Sequence, residues 1–314
     1  MPQSLGADIT KAASKQTYYT IKFLVDRPHR EDAYRAYAYF RWVDDLLDAD
    51  GASGPSPTDT ERTRRRHFLD RQTWLLDTCL RGEAPRDVKP QEMMLVELTR
   101  RAPRVDNGLR AYLRNMMHVM EFDVLRRGNL ISRAELNRYT HWLAVAVTEA
   151  VDYFIGNGAV TPHDQTRYMA ASAAHIMHML RDTYDDVRLG YYNIPREVLE
   201  ANGNGPLDVD NDAYRAWVKR RVQLSRAYFD AGRAYLARVP NVRYRLAGLA
   251  YIARFEWLSE ALEAENFRLR PEYSERHSIG TALRMARLPL SGMVHLSHMR
   301  APVRPIASQP QGKL

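Results

Sequence analysis

Apolar residues recur at steps of three and four along most of this chain, which is the spacing of one buried helix face. The clearest run is Ala33-Tyr34-Ala36-Tyr37-Phe40-Val43-Leu47. Similar patterns predict further helices over residues 61–80, 92–126, 133–155, 163–187, 213–237 and 243–268. Alternating apolar and polar runs bounded by turns, which would predict strands, are not evident. The sequence therefore predicts an all-α fold.

Turn-forming residues separate the predicted helices. Glycine, proline, serine and asparagine are concentrated over residues 50–57 and 202–206, and glycines at 156 and 158 predict a helix end. None of these segments looks like a linker between domains, and no short repeat is visible. We therefore expect one helical domain over residues 1–300, followed by a proline-containing, flexible tail over 301–314.

Composition and charge narrow the classes of function. The single cysteine, Cys79, excludes an intrachain disulfide. The net charge is +8, but only six of the 46 basic residues are lysine, and the arginines are spread along the chain. Zinc-finger spacing, an RNP-like strand and a dense basic arm are all missing, which argues against a nucleic-acid partner. The sequence also lacks a phosphate-binding G-x-x-x-x-G-K-[ST] and a G-x-S-x-G elbow.

The sequence gives a first expectation for location. Its first residues lack the basic-then-apolar run of a secretory signal, and no run of eighteen apolar residues occurs. We therefore expect a cytoplasmic protein. Residues 279–290 are basic and partly amphipathic, so they either lie on lipid or pack against the helices, and peripheral membrane contact stays open. Monomer and homodimer are both compatible with the sequence.

Two pairs of aspartates are the strongest chemical signal. Asp44 and Asp48 are four residues apart at the end of an apolar helix, so they share one face, although carboxylates near a helix end often simply face water. Asp182 and Asp186 repeat this spacing after the apolar segment 170–180. Carboxylates that continue a buried helix need a partner, and a hard divalent cation is a suitable one. Two facing helices of this kind would hold Mg²⁺ against phosphate oxygens.

Both acidic segments resemble motifs of the squalene/phytoene synthase family of head-to-head prenyl-transferring enzymes. Residues 39–48, YFRWVDDLLD, are similar to the family's Y-x-x-R-x-x-D-D-x-x-D helix. Residues 180–195, LRDTYDDVRLGYYNIP, resemble its L-R-D-x-x-E-D-x-x-x-G-x-x-Y-x-P segment. Ser14-Lys15 and the segment 120–139 also fit the family order. The resemblance covers residues 14–195 well and the remainder only as helical pattern.

The resemblance implies a fold and an activity. The fold would be a helical bundle of the isoprenoid (terpenoid) synthase type with a central active-site cavity. The activity would be ionisation of an allylic isoprenyl diphosphate, followed by head-to-head coupling to a squalene- or phytoene-like product. Mg²⁺ would be the cofactor, with Mn²⁺ as the alternative, and use of NADPH stays open. The alternatives are prenylation of a non-prenyl acceptor, terpene cyclisation, and a non-catalytic helical interaction protein that retains the fold.

The resemblance also assigns roles to individual residues. The residues with a catalytic role would be Asp44, Asp48, Asp182, Asp186 and Tyr139. The metal ligands would be the same four aspartates and His178. The residues in contact with substrate would be Ser14, Arg41, His175, His178 and Arg181. Plainer interpretations stand beside three of these, since Arg41 could form a helix-surface salt bridge, Tyr139 could be a core tyrosine, and Arg181 could point elsewhere.

Two departures from the family pattern bear on the site. His175 and His178 stand where the family has Q-x-x-N, and their spacing places them on one helical stripe with Asp182 and Asp186. They would replace the amides, accept a proton, or be buried and bonded to their neighbours. The family's V-A-G-x-V-G segment reads LAVAVT at 143–148. Valine and threonine there would narrow the space for a second prenyl chain, which leaves the acceptor open.

Overall fold

The computed structural model describes residues 4–49, 56–101, 107–156 and 158–273. Within these ranges the chain forms eleven α-helices and no strand, which confirms the all-α prediction. The helices are α1 (Leu5–Ala13), α2 (Lys15–Leu24), α3 (Arg30–Asp48), α4 (Asp59–Leu80), α5 (Glu92–Arg101), α6 (Gly108–Arg126), α7 (Arg133–Ile155), α8 (Met169–Arg188), α9 (Arg196–Glu200), α10 (Asp212–Arg238) and α11 (Val242–Ala264). Single 3₁₀ turns at Arg27–His29 and Gln165–Tyr168 precede α3 and α8.

Side-chain caps fix where several helices begin. Thr58 caps α4 and Ser132 caps α7, and each hydroxyl accepts a hydrogen bond from the backbone three residues on. Glu61 and Glu135 return the interaction, accepting from the cap backbone N–H at 2.6 and 2.7 Å. These are complete capping boxes, which satisfy backbone donors that a helix start otherwise leaves free. The sequence encodes both starts locally.

The predicted helix over residues 92–126 is wrong as a single element. In the structure α5 ends at Arg101, and α6 begins at Gly108. The side chain of Asn107 accepts from the backbone N–H of Arg110 at 3.0 Å, which starts a new helix. The sequence also has a proline at 103, which lacks the N–H that a continuous helix would use. Apolar periodicity alone does not detect this break.

Other predicted boundaries differ by a few residues. The predicted end at 268 is too late, because α11 ends at Ala264 and both Asn266 and Phe267 have positive φ angles, of 50° and 62°. The predicted start at 163 becomes the 3₁₀ turn at Gln165–Tyr168. Gly156 ends α7 as predicted, and its N–H donates to the Asp152 carbonyl at 2.8 Å. Most of the predicted loop at 50–57, the segment 279–290 and the tail 301–314 lie outside the described residues.

The helices pack in an order that follows the chain. α6 packs against α7, α7 against α8, and α8 against α10 and α11, while α3 contacts α1, α5 and α6. Tyr39, Leu113, Met177 and Phe229 are fully buried where these helices meet. No helix in the described ranges is both long and apolar enough to cross a bilayer.

Close packing of α8 against α10 depends on one glycine. A Cβ atom at Gly232 would lie 2.7 Å from the Cβ and 3.0 Å from the Cα of Ala170. Alanine normally stabilises a helix relative to glycine by about 1 kcal/mol, but here it would collide with a neighbouring backbone. We expect Gly232→Ala to lower the free energy of unfolding by about 1–3 kcal/mol, measured by urea denaturation. Gly205→Ala is the control, because no atom lies within 4 Å of its Cβ position. Equal stability of the two variants would contradict the packing argument.

Candidate active site

Two cavities lie between the long helices. The acidic cavity has a volume of about 260 Å³, and its carboxylates are Asp44, Asp48, Asp123, Asp182 and Asp186. The apolar cavity has a volume of about 370 Å³ and lies between α2, α3, α7, α8, α10 and α11. Its lining includes Ile21, Ala36, Val151, Phe154 and Leu236. One space therefore suits an anion with cations, and the other suits a hydrocarbon.

The two cavities follow one another along the same helices. On α3, Tyr37 lines the apolar cavity and Asp44 lines the acidic one, about 10 Å further along at 1.5 Å per residue. On α8, Ala171 lines the apolar cavity, and His175, four residues further along, lines the acidic one. α7 runs in the opposite direction, since Tyr139 near its start lines the acidic cavity. The arrangement fits a molecule with an anionic head and an apolar tail.

The surroundings of the two α3 carboxylates, Asp44 and Asp48, disfavour their negative charge. Partial burial, with the neighbouring charge of Asp48, raises the pKa of Asp44 to about 7. Burial also raises the pKa of Asp48, although that carboxylate accepts a hydrogen bond from the Tyr191 hydroxyl at 3.2 Å. Both residues lie in the last turns of α3, where the helix dipole disfavours an anion. The Arg41 guanidinium lies 3.6 Å from Asp44 but does not offset burial, so a bound cation would stabilise the charged form of this pair.

The α8 carboxylates differ from each other. Arg181 donates two hydrogen bonds to Asp182, at 2.5 and 2.7 Å, and His178 Nε2 lies 2.9 Å from the same carboxylate. Burial alone would raise the pKa of Asp182, but these partners outweigh it and hold the pKa below its ordinary value. At Asp186 burial dominates and raises the pKa to about 7, even though Asn193 donates a hydrogen bond at 2.6 Å. A bound cation would therefore stabilise the charged form of Asp186 more than that of Asp182.

A buried polar network joins α6 to α7 beside these carboxylates. Arg126 donates to Asp123 at 2.6 Å and to the side-chain oxygen of Asn193 at 2.8 Å. Its guanidinium lies 4.8 Å from the ring centroids of both Tyr139 and Tyr191. The Tyr139 hydroxyl donates to Asp123 at 3.0 Å, and burial raises its pKa well above the ordinary value. Tyr139 therefore lines the cavity as a protonated donor that orients Asp123.

The two histidines line the acidic cavity, as their shared stripe with Asp182 and Asp186 predicts. His175 is buried, and its ring packs edge-on against Tyr139 with 5.0 Å between centroids. Neither of its ring nitrogens has a hydrogen-bond partner in the described part of the chain. Burial lowers the pKa of His175 well below its ordinary value, so the ring is neutral. The His178 side chain is half exposed, and its Nε2 atom pairs with the Asp182 carboxylate.

Three residues with a predicted role in substrate contact do not line the acidic cavity in this structure. Arg41 donates to Asp45 at 2.5 Å and also lies 3.6 Å from Asp44, which lines the cavity. Arg181 donates its two hydrogen bonds to the neighbouring Asp182 carboxylate. Ser14 caps α2 by accepting from the backbone N–H of Thr17 at 3.2 Å. Their roles toward a substrate remain predictions.

The structure adds five residues that the sequence reasoning did not assign to the site. These residues, which line the acidic cavity or bond to its carboxylates, are Arg65, Asp123, Arg126, Tyr191 and Asn193. Tyr191 and Asn193 lie within the motif at 180–195, so that motif could have indicated them. Asp123 lies in a segment that fits the family order, and Arg126 follows it by three residues. No sequence motif indicated Arg65, because it is one of several arginines in a charged helix.

The donor set fits a hard divalent cation. The cavity presents carboxylate oxygens from three helices, and burial raises the pKa of three of these aspartates. In the described ranges no three histidine, cysteine or acidic side chains are grouped so that they could hold an ion. Mg²⁺ is commonly held by one or two carboxylates together with substrate phosphates and water. The residues thus suit an ion that is shared with a diphosphate.

Val145 and Thr148 stand where the family pattern has glycine. Of these two residues, Thr148 contributes to the lining of the apolar cavity from α7 and Val145 does not. A glycine at position 148 would leave additional room at this wall, whereas the threonine side chain occupies it. This departure thus lies at the wall of the apolar cavity, away from the carboxylates.

The raised pKa values of Asp44 and Asp186 predict a response to pH. An unfolded aspartate has a pKa of about 3.9, so between about pH 4 and 7 both carboxyls bind protons more tightly in the folded protein. The metal-free protein should therefore lose stability as the pH rises through this window. Added Mg²⁺ should raise the Tm by about 2–6 °C at pH 8 and have little effect at pH 5, measured by thermal unfolding with and without chelator.

Other groups also titrate in this range, so the double variant Asp44→Asn/Asp186→Asn is the control. Its Tm should depend less on pH and on Mg²⁺ than that of the wild-type protein. The same dependence in both proteins would mean that these carboxyls are not the source.

The sequence is similar to those of several phytoene synthases. A chloroplastic phytoene synthase of Daucus carota is 23% identical over 291 residues, covering 88% of this chain and 66% of that protein. A chloroplastic phytoene synthase 2 of Solanum lycopersicum is 21% identical over 285 residues, covering 88% and 85%. The chain thus spans about two thirds of the length of the first of these relatives.

Two solved structures share the fold. The squalene synthase HpnC from Alicyclobacillus acidocaldarius superposes with a TM-score of 0.65 at 22% identity, covering 85% of this chain and 94% of that one. A dehydrosqualene synthase solved with a ligand gives a TM-score of 0.67 at 15% identity, covering 93% and 95%. The family model for squalene/phytoene synthase matches residues 10–291, and this chain belongs to that family.

Proposed function

We propose that this protein is a Mg²⁺-dependent prenyltransferase that ionises an allylic isoprenyl diphosphate and couples it head-to-head to a second prenyl diphosphate. The observation that carries the proposal is the succession of an acidic and an apolar cavity along α3 and α8. A diphosphate in the acidic cavity would leave its prenyl chain in the apolar one. When bound, Mg²⁺ would neutralise the negative charge of the departing diphosphate.

The side chains suit this chemistry in separate ways. Asp44, Asp48 and Asp186, whose pKa values burial raises, would hold the metal, and Asp182 would be oriented by its partners. The apolar walls would exclude water from an allylic cation, which water would otherwise capture. Tyr37 lies in that wall near the acidic end, and its ring face can stabilise a nearby cation.

Two other outcomes share the ionisation step. Thr148 stands in place of a family glycine and occupies space at the wall where a second prenyl chain would lie, which favours a smaller acceptor or cyclisation of a single chain. A non-catalytic protein is a weaker candidate, because nothing in its role would offset the cost of placing five partly buried carboxylates around one cavity.

The test is incubation of purified protein with geranyl, farnesyl and geranylgeranyl diphosphates, with Mg²⁺, with Mn²⁺ and with chelator. Diphosphate release and extracted products are followed, with and without NADPH. A metal-dependent hydrocarbon with twice the carbon number of its substrate would establish coupling. Diphosphate release with a cyclic or alcohol product would replace coupling by cyclisation or water capture. No release from any substrate, alone or with candidate acceptors, would reject the proposal.

A further inference from the structure

Arg65, on α4, places a buried cation at the edge of the acidic cavity. Arg65 is only 3% exposed, and it lines the cavity together with Asp48 and Tyr191. Its Nε and Nη2 atoms are buried, and neither has a hydrogen-bond partner in the ranges that the structure describes. A guanidinium carries five donors, and burying them without acceptors is costly. Arg65 therefore lacks the acceptors that its burial requires.

The surroundings of Arg65 increase this need. Arg127, which is 2% exposed, is a like charge close enough to act with burial in lowering the pKa of Arg65. Arg127 is fixed in place, because its Nε donates to the Leu189 carbonyl at 2.9 Å and its guanidinium lies 5.8 Å from the Tyr191 ring centroid. The Asp48 carboxylate acts in the opposite direction and raises the pKa of Arg65, but it accepts its hydrogen bond from Tyr191. Arg65 thus lines the cavity with a second buried cation behind it, and this positive charge favours a bound anion.

We propose that Arg65 binds a phosphoryl oxygen of a diphosphate group on the Asp48 side of the acidic cavity. The guanidinium fork can donate two parallel hydrogen bonds to such a group. This contact is direct and is additional to any metal held by the aspartates. The inference rests on the proposed function for the identity of the anion. α4 lies between the two acidic motifs, and no sequence motif assigns it a role.

The experiment compares Arg65→Met with Arg66→Met in the full chain. Arg66 is adjacent on α4 but exposed, so its replacement removes the same charge without reaching the cavity. Affinity for inorganic pyrophosphate is measured by calorimetry in the presence of Mg²⁺, and Tm is measured without ligand. We expect Arg65→Met to weaken pyrophosphate binding by about tenfold or more and Arg66→Met to leave it unchanged.

The Tm without ligand separates binding from a structural role. Removing a buried guanidinium whose Nε and Nη2 atoms lack acceptors should leave the Tm of Arg65→Met unchanged or raise it, whereas loss of a structural residue would lower it. Pyrophosphate affinity equal to that of the wild-type protein would overturn the proposal, whatever the Tm. If the methionine variant does not fold, Arg65→Gln serves in the same comparison, and wild-type affinity in that variant would overturn it equally.

The outcomes also distinguish this inference from the proposed function. Pyrophosphate binding needs no turnover, so a Met variant that loses binding supports Arg65 even if no prenyl substrate reacts. Normal turnover with unchanged pyrophosphate affinity in Arg65→Met would reject the role of Arg65 alone. The KM for an allylic diphosphate, measured in the same variants, identifies the source of the anion. A raised KM indicates the substrate head group, and an unchanged KM with weakened pyrophosphate binding indicates the released product.

Discussion

Asp44→Asn and Asp186→Asn should each reduce diphosphate release by about 10³-fold while the helices remain intact. Asparagine keeps the size of the side chain but removes the negative charge that would hold a cation. Both carboxyls have a pKa of about 7, so their charged forms are disfavoured in the metal-free fold. The variants should therefore unfold at the wild-type temperature or above it. The measurements are initial rates with saturating Mg²⁺ and thermal unfolding without metal.

Asp185→Asn is the matched control for Asp186→Asn. Asp185 precedes Asp186 in α8, is largely exposed and pairs loosely with Arg188 at 3.5 Å. Its side chain does not line the acidic cavity. Its replacement should leave the rate within about twofold, since exposed ion pairs contribute little. Near-normal activity of either cavity variant would show that the metal assignment is wrong, and equal loss in Asp185→Asn would indicate an effect on the helix.

Arg126→Met should cause the largest loss of stability, about 3–5 kcal/mol in the free energy of unfolding. Arg126 is buried, pairs with Asp123 and also donates to Asn193. Burial alone would lower its pKa, but Tyr139 and Asp123 raise it above the ordinary value, so the guanidinium is charged. Its removal leaves a carboxylate in the cavity wall without its cation. Urea denaturation measures the loss.

A second pair in the chain provides the comparison. Arg188 and Asp185 have the same three-residue spacing, but both side chains are about 70% exposed. Arg188→Met should cost less than about 0.5 kcal/mol. The double variant Arg126→Met/Asp123→Asn should regain part of the stability, because it no longer leaves an unpaired charge. If Arg126→Met cost no more than Arg188→Met, the buried pair would not stabilise this wall.

Much of the fold follows from local pattern. Apolar spacing of three and four identifies most helices, and the capping boxes of α4 and α7 mark their starts within the sequence itself. The same periodicity brings His175, Asp182 and Asp186 to one cavity, because residues at these steps share a helix face. The acidic cavity was predictable to this extent from spacing alone.

The remainder depends on contacts between residues that are distant in the chain. Arg126 and Asn193 bond across 67 positions, and Tyr191 and Asp48 across 143, so no local window reveals either pair. Arg65 differs from the exposed arginines around it only in the direction it faces. Sequence periodicity also misplaced the end of α11, because a phenylalanine rarely adopts the positive φ that Phe267 has.

The parallel course of α3 and α8 gives the site a length scale. Both helices pass beside the apolar cavity before they reach the carboxylates. Each helical turn toward the N-terminus therefore lies about 5.4 Å further from the carboxylates. If the proposed function holds, residues one turn apart on these helices face successive isoprene units of the bound chain. A bulky side chain placed progressively closer to Asp44 would then shorten the accepted substrate in steps, and the preferred chain length would be read out residue by residue along the helix.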